Sequence, residues 1–152
     1  MSVVIGIDLG ERRIGIAAGD TESGAVTPLL TLRRGTPGQD AQALANVIAE
    51  RRAQELIVGL PLHVDGSESE QSQRTRAWVA QVDPLVGVPI TWRDERHTSQ
   101  SAEARLGRLP RGRSGGAPSA RARHVYRARI DREAAADIVQ RELDARSDGA
   151  AR

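Results

Sequence analysis

The sequence contains no cysteine, and aromatic residues make up only 2% of its 152 residues. The absence of cysteine excludes disulfide bonds, a thiol nucleophile and a thiolate metal site. The scarcity of aromatic residues argues against a platform on which the bases of single-stranded nucleic acid stack. No apolar run approaches the ~18 residues typical of a membrane span, and the N-terminus has no pattern of a secretory signal. We therefore expect a cytoplasmic globular protein that does not bind membranes.

Lysine is also missing, so arginine supplies all 22 basic residues, against 20 acidic ones. The net charge of +2 is small, but it is unevenly distributed, since residues 105–132 are strongly basic. A codon bias towards arginine would explain this composition without any function. In either case the planar guanidinium group suits phosphate oxygens, and basic segments commonly face nucleic acid. Because no apolar helical face accompanies the basic segment, we expect nucleic acid, bound through its backbone phosphates, rather than a membrane.

Hydrophobic patterning predicts the order of helices and strands along the chain. Strands are expected over residues 3–9, 14–20, 26–34, 55–61 and 88–96, with the third at an edge because Pro28 interrupts it. Helices are expected over residues 38–53, 67–82, 98–109 and 130–145. Asp40 is the predicted N-cap of the first helix, and Ser67 with Glu70 has the spacing of a capping box for the second.

This order predicts an α/β fold with a mixed five-stranded sheet. Three antiparallel strands are followed by β-α units, which places helices on both faces of the sheet. We expect one domain over residues 1–146 and a disordered tail over residues 147–152. Glycine, serine, proline and arginine dominate residues 110–129, which predicts a mobile, basic loop there.

Acidic residues from three separate segments are predicted to meet at one edge of the sheet. Asp8 ends the first strand, Asp94 and Glu95 end the fifth, and Asp131 begins the last helix. In such sheets ligands bind at the carboxyl ends of the strands. Clustered carboxylates suit hard divalent cations, and two ions ~4 Å apart can support hydrolysis of a phosphodiester. Each acid also has a structural explanation, as a turn residue, a surface ion pair or a complement to a helix dipole.

Two other acidic residues are unsuitable on geometric grounds. The predicted hairpin pairs Asp8 with Gly15 and Asp20 with Val3, which separates the two acids by roughly 16 Å. Asp137 follows Asp131 by six residues, so it lies about 120° away around the helix.

Four segments in order along the chain resemble the YqgF (RuvX) family of small bacterial proteins. They are "GIDLGERRIGIAAGD" from residue 6, "VGLPLHVDGSE" from residue 58, "DERHTSQSAE" from residue 94 and "IDREAAADIVQREL" from residue 130. Members of this family are described as Holliday-junction resolvases and as pre-16S rRNA nucleases, with an RNase H-like fold. The resemblance covers residues 4–144, almost the whole chain.

The resemblance implies a metal-dependent nuclease in which Asp8, Glu95 and Asp131 are the catalytic, metal-binding carboxylates. Mg²⁺ or Mn²⁺, as two ions, is the implied cofactor. Arg13 and Arg96 lie in the family's motifs and are expected to contact phosphates or support the site, unless they form ion pairs with Glu11 or Asp94. From the basic loop, Arg111 and Arg113 are further expected nucleic-acid contacts.

Two questions stay open at this point. The substrate is either an RNA precursor, processed at the 5′ end of pre-16S rRNA, or branched DNA, and the protein is a monomer or a homodimer. Resolution of a symmetric junction requires two active sites and hence a dimer. The alternative function is a non-catalytic nucleic-acid-binding module involved in transcription or ribosome biogenesis.

Overall fold

The computed structural model describes residues 2–94 and 117–150. Within these ranges the chain forms five strands and three helices. In chain order they are β1 (Val3–Leu9), β2 (Arg13–Asp20), β3 (Val26–Arg33), α1 (Pro37–Arg51), β4 (Ala53–Leu60), α2 (Glu70–Val86), β5 (Ile90–Asp94) and α3 (Ala120–Ala150). The predicted helix over residues 98–109 lies outside the described residues. No helix within the described part of the chain is long and apolar enough to cross a membrane.

The five strands form one mixed sheet in the order β3-β2-β1-β4-β5. Strands β1, β2 and β3 are antiparallel neighbours, whereas β4 is parallel to β1 and β5 is parallel to β4. Asp8 pairs with Gly15 and Val3 pairs with Asp20, as the hairpin predicted. The predicted mixed five-stranded sheet is therefore confirmed, with β3 at one edge.

Each face of the sheet carries its own hydrophobic core. Ile5, Ile7 and Leu9 of β1 pack with the buried faces of α1 and α2. Val4 lies on the opposite face, in a smaller cluster formed with α3. Because side chains alternate along a strand, Asp8 shares the face of Val4. The catalytic candidate Asp8 therefore emerges on the side of the sheet that α3 covers.

Glycine in the β1–β2 hairpin allows α3 to lie directly against the sheet. A Cβ atom added at Gly15 would overlap the carbonyl oxygen of Asp131, and one added at Gly6 would overlap the side chain of Val139. Side chains at either position would push the helix away from the sheet. Glycine at positions 6 and 15 therefore allows the short distance between α3 and the hairpin. This close contact brings Asp131 beside the end of β1.

Helix α3 is longer than the sequence pattern predicted. It begins at Ala120, so residues 120–129 are helical and the prediction of a loop there is wrong. The physical reason is that the glycine and proline residues end at Pro118; the segment after Ser119 contains good helix formers such as alanine and arginine. Ser119 accepts a hydrogen bond from the backbone N–H of Ala122 at 3.1 Å, as an N-cap does. Residues 110–116 lie outside the described part of the chain.

The C-terminal end of α3 also extends beyond its predicted limit. Residues 147–150, expected in a disordered tail, continue the helix. Just before them, Arg146 forms ion pairs with Glu142 of the same helix and with Glu55 of β4. These contacts attach the last turns of α3 to the sheet and explain why the helix does not end at residue 145.

The N-caps of α1 and α2 differ from those predicted. Thr36, not Asp40, caps α1, and its hydroxyl accepts from the N–H of Gln39. Ser69 caps α2 in a capping box with Ser72, rather than Ser67 with Glu70. Several polar residues that can act as caps lie near the start of each helix, so sequence spacing alone does not identify the one that does.

Candidate active site

Asp8 occupies the carboxyl end of the central strand β1 and is half-buried. Asp8 pairs in register with Gly15. A Cβ atom at Gly15 would contact the backbone of Asp131, so the two residues lie directly against each other. Side chains of register partners in an antiparallel pair emerge on the same face of the sheet. Two acids that are 123 positions apart in the sequence are thereby brought to the same face at the same end of the hairpin.

Asp131 lies well inside α3, eleven residues after Ala120. The helix dipole acts within the first turn, so it does not explain an acid at this position. Instead, Arg13 of β2 donates from Nε to Oδ2 of Asp131 at 2.7 Å. About four-fifths of each side chain is removed from solvent. The contact fixes the orientation of the Asp131 carboxylate towards the hairpin.

The alternative considered for Arg13, an ion pair with Glu11, is not the contact that the structure shows. Glu11 is exposed and lies 3.8 Å from Arg74 of α2. Arg13 is therefore directed into the site, where it contacts one of the three predicted metal ligands.

Of the two acids predicted to end the fifth strand, the structure describes Asp94. Asp94 pairs in register with Leu60, whereas Arg93 lies 3.7 Å from Glu142 of α3. Since successive side chains alternate, Asp94 is on the face opposite to α3 and Asp8. This placement disfavours Asp94 as a partner of Asp8.

The remaining predicted site residues lie outside the described part of the chain. They are Glu95, Arg96, Arg111 and Arg113. Within residues 2–94 and 117–150, no group of three or more histidine or acidic residues is placed to hold a metal ion. Asp8 and Asp131 supply two of the three carboxylates that the sequence predicted.

A pocket of about 390 Å³ lies between the β1–β2 turn and α3, and we call it the acid pocket. It is lined by Gly10, Glu11, Arg12, Arg13, Arg127 and Asp131. Arg127 precedes Asp131 by four residues, so the two share one face of the helix. Arg127 is absent from the predicted site because its segment is predicted as a loop. Extension of the predicted helix by one turn before Asp131 would have identified Arg127.

The turn that carries Arg12 and Arg13 is held by hydrogen bonds on both sides. Arg34 donates from Nη1 to the carbonyl oxygen of Gly10 at 2.8 Å. The backbone N–H of Arg34 donates to the carbonyl oxygen of Arg12 at 2.9 Å, and that of Gly10 to Arg13 at 2.8 Å. The two arginines are therefore presented on a preorganised turn.

The loop after β4 also ends at this edge of the sheet, but its acids accept hydrogen bonds from the loop and from α2. The Ser67 hydroxyl and backbone N–H donate to Asp65 and lower the pKa of that carboxyl. A hydrogen bond from the Ser72 hydroxyl, followed by one from Arg76, lowers the pKa of Glu68. Asp65 stabilises the loop and Glu68 the start of α2, and we do not assign either carboxylate to the metal site.

Comparison with known proteins adds three findings. The family model described as "RuvX: Holliday junction resolvase" matches residues 2–145. A relative from Burkholderia ambifaria, provisionally named as a pre-16S rRNA nuclease, is 36% identical over 97% of this chain and 92% of its own length. A relative from Ruegeria pomeroyi with the same provisional name is 41% identical over 69% of this chain and 68% of its own length.

A solved structure has a similar fold. It is Thermus thermophilus RuvC in complex with a Holliday junction substrate. The match has a TM-score of 0.56 and 16% sequence identity, and it covers 97% of this chain and 96% of RuvC. The match confirms the predicted RNase H-like fold.

Proposed function

Because the chain belongs to the RuvX family, we propose that it is a divalent-metal-dependent nuclease that hydrolyses phosphodiester bonds of structured nucleic acid. The names of the family and of its relatives support a nuclease over a non-catalytic binding module. The observation that carries the proposal is the placement of Asp8 and Asp131 on one face of the sheet, beside an arginine-lined pocket.

The proposed metal ligands are Asp8, Glu95 and Asp131. Carboxylate oxygens are the ligands that Mg²⁺ and Mn²⁺ prefer, and the chain has no cysteine that would favour a softer metal. Two ions at such a site supply electrostatic stabilisation of the attacking and leaving oxygens of the phosphodiester. Support for this assignment is that Asp8 and Asp131, from different elements, lie on the same face at the same end of the hairpin.

The arginines have two proposed roles. Arg13 positions Asp131 through the 2.7 Å hydrogen bond. Arg12 and Arg127 line the acid pocket and balance the negative charge that a phosphodiester brings to the carboxylates. Arg96, Arg111 and Arg113 are proposed as further phosphate contacts.

The proposed substrate is an RNA precursor, processed at the 5′ end of pre-16S rRNA in the cytoplasm. The names of the relatives from Burkholderia and Ruegeria support RNA. The description of the family and the junction bound to RuvC support branched DNA as the second candidate. Processing of an rRNA precursor needs only one active site, which a monomer provides, whereas resolution of a symmetric junction requires two active sites and hence a homodimer.

A cleavage panel tests the proposal. The protein is incubated at low salt, with Mg²⁺ or Mn²⁺, with an extended 16S rRNA precursor, single-stranded RNA, a four-way DNA junction and plain duplex DNA. We expect cleavage of the rRNA precursor and its loss in Asp8→Asn, which keeps the shape of the side chain and removes its charge. Cleavage of the junction alone identifies the second substrate.

Asp20→Asn is the matched control for this experiment. Asp20 ends β2 at the opposite end of the hairpin, and its side chain accepts hydrogen bonds from the turn at Glu22 and Ser23, which asparagine can also accept. We expect the control to cleave at the wild-type rate. If no substrate is cleaved while both variants bind nucleic acid in a salt-sensitive manner, the nuclease proposal fails and the binding module is the better account.

A further inference from the structure

A second pocket adjoins the acid pocket and has no carboxylate in its lining. Its volume is about 370 Å³, and Arg12 and Arg13 line both pockets. The other basic side chains in its lining are Arg33, at the end of the edge strand β3, and His124 of α3. We call this the flanking pocket. A lining of cations without acids repels a metal ion and attracts an anion.

The strand register forces like charges together at this pocket. Arg13 and Arg33 are direct partners in the β2–β3 pairing, and like charges at such positions destabilise a sheet. Arg13 is neutralised by Asp131. Within residues 2–94 and 117–150, no ion pair joins Arg12, Arg33 or His124 to a carboxylate. The positive charges of Arg12 and Arg33 are therefore left for an anionic ligand to balance.

A hydrogen bond between two secondary-structure elements holds the walls of the flanking pocket in place. One wall is α3, where His124 and Ala128 lie seven and three residues before Asp131, on the same helical face. The other wall is β3. The Thr31 hydroxyl donates to the carbonyl oxygen of Ala128 at 2.7 Å and connects the two walls. A preformed site of this kind binds with little loss of conformational entropy.

We propose that the flanking pocket binds a backbone phosphate of the nucleic acid next to the phosphodiester that is cleaved. The identity of the ligand rests on the proposed nuclease function. The substrate strand runs from the acid pocket over Arg12 towards the exposed edge of the sheet, and Arg33 anchors it. Because the contact is to phosphate, it is independent of base sequence and contributes binding rather than chemistry.

Arg33→Gln tests the proposal, with Arg51→Gln as the matched control. Arg33 is exposed, and Arg51 is an exposed arginine in the last turn of α1, on the opposite face of the sheet. Both variants lose one positive charge, so they differ only in its location. The probes are a fluorescein-labelled single-stranded RNA and a four-way DNA junction, bound without divalent cations over a range of salt concentrations.

We expect Arg33→Gln to weaken binding by about fivefold, the size of one exposed ion pair. The slope of log affinity against log salt should fall in magnitude by ~0.7 for the single strand or ~0.9 for the duplex arms, which corresponds to one lost phosphate contact. Arg51→Gln should change neither quantity. The probe whose affinity Arg33→Gln weakens more identifies the nucleic acid that fits the pocket.

Cleavage kinetics separate this proposal from the nuclease proposal. Arg33→Gln should raise KM with kcat unchanged, because it removes a contact that ground and transition states share. Arg12→Gln, in the turn, is the second variant and should reduce the salt slope in the same way. Identical slopes for Arg33→Gln, Arg12→Gln and Arg51→Gln overturn the flanking pocket even if Asp8→Asn abolishes cleavage. A reduced slope in a protein that cleaves nothing supports the pocket and refutes the nuclease.

Discussion

Arg13 of β2 holds Asp131 of α3 by a 2.7 Å hydrogen bond from Nε to Oδ2. The contact joins the hairpin that carries Asp8 to the helix that carries the second acid. Because both side chains are largely shielded from solvent, removal of one partner leaves the other charge poorly solvated and costs more than the loss of a typical surface ion pair. It makes the position of the Asp131 carboxylate depend on β2 as well as on its own helix.

Replacement of Arg13 by glutamine should therefore lower kcat more than it raises KM. Without the guanidinium group, Asp131 samples other rotamers and the site is assembled for a smaller part of the time. We expect kcat to fall by about tenfold, which corresponds to about 1.4 kcal/mol of lost transition-state stabilisation. Steady-state cleavage kinetics measure the two parameters, with Arg51→Gln as a control that should match the wild type. A change confined to KM would make Arg13 a phosphate contact instead.

Gly15→Ala should destabilise the protein and displace Asp131. The added Cβ overlaps the Asp131 carbonyl oxygen, which belongs to a helix backbone and cannot rotate away. Overpacking of this kind costs about 3 kcal/mol of unfolding free energy. Urea denaturation measures the change. Gly38→Ala in α1 is the control, because the nearest atom to its Cβ is 4.0 Å away and alanine favours the helix. Equal stability of the two variants would refute the close contact.

Asp40 connects the start of α1 to α2 through a buried hydrogen bond. It accepts from the indole Nε1 of Trp78 at 3.0 Å and from the backbone N–H of Gly35 at 2.8 Å. Asp40→Ala leaves these donors without an acceptor and should cost about 2 kcal/mol of unfolding free energy. Asp40→Asn keeps one acceptor and should cost less, and Asp83→Ala, at an exposed position of α2, should be nearly neutral. Chemical denaturation followed by tryptophan fluorescence distinguishes the three.

The pKa of Asp65 should depend on Ser67. In the folded protein this carboxyl titrates below its ordinary value of 3.8, mainly because the Ser67 hydroxyl donates to it. Its contribution to stability is therefore present above that value and is lost as the pH falls through the lower, folded pKa. In Ser67→Ala the backbone hydrogen bond remains, so the pKa should rise only part of the way back. Carboxyl ¹³C NMR titration measures both proteins; an unchanged pKa in Ser67→Ala would contradict the assignment.

The fold is predictable where a local pattern and the topology agree. The run from Val3 to Leu9 identifies β1, and the short turn at residues 10–12 determines which residues of β1 and β2 pair. That register alone places Asp8 and Asp20 at opposite ends of the hairpin. The alternation of strand and helix in the second half predicts the parallel pairing of β4 and β5.

The limits of α3 and the roles of the arginines are not predictable from local patterns. The density of arginine over residues 121–129 is typical of a basic loop, yet arginine is also a good helix former and the segment is helical. The prediction of a loop therefore concealed Arg127 and His124, which lie on the face of Asp131. The Arg13–Asp131 contact joins residues 118 positions apart, and only the packing of α3 on Gly15 brings them together.

The central claim is that Asp8 and Asp131 hold a divalent cation together, and Mn²⁺ binding tests it most directly. Calorimetric titration gives the Kd for Mn²⁺ of the wild type, Asp8→Asn, Asp131→Asn and the control Asp20→Asn. Each variant lacks the charge of one carboxylate. Removal of either metal-binding carboxylate should raise the Kd for Mn²⁺ by about tenfold or more, while Asp20→Asn should bind as the wild type does. Equal affinity in all four proteins would contradict the account and leave Asp8 as the residue that ends a strand.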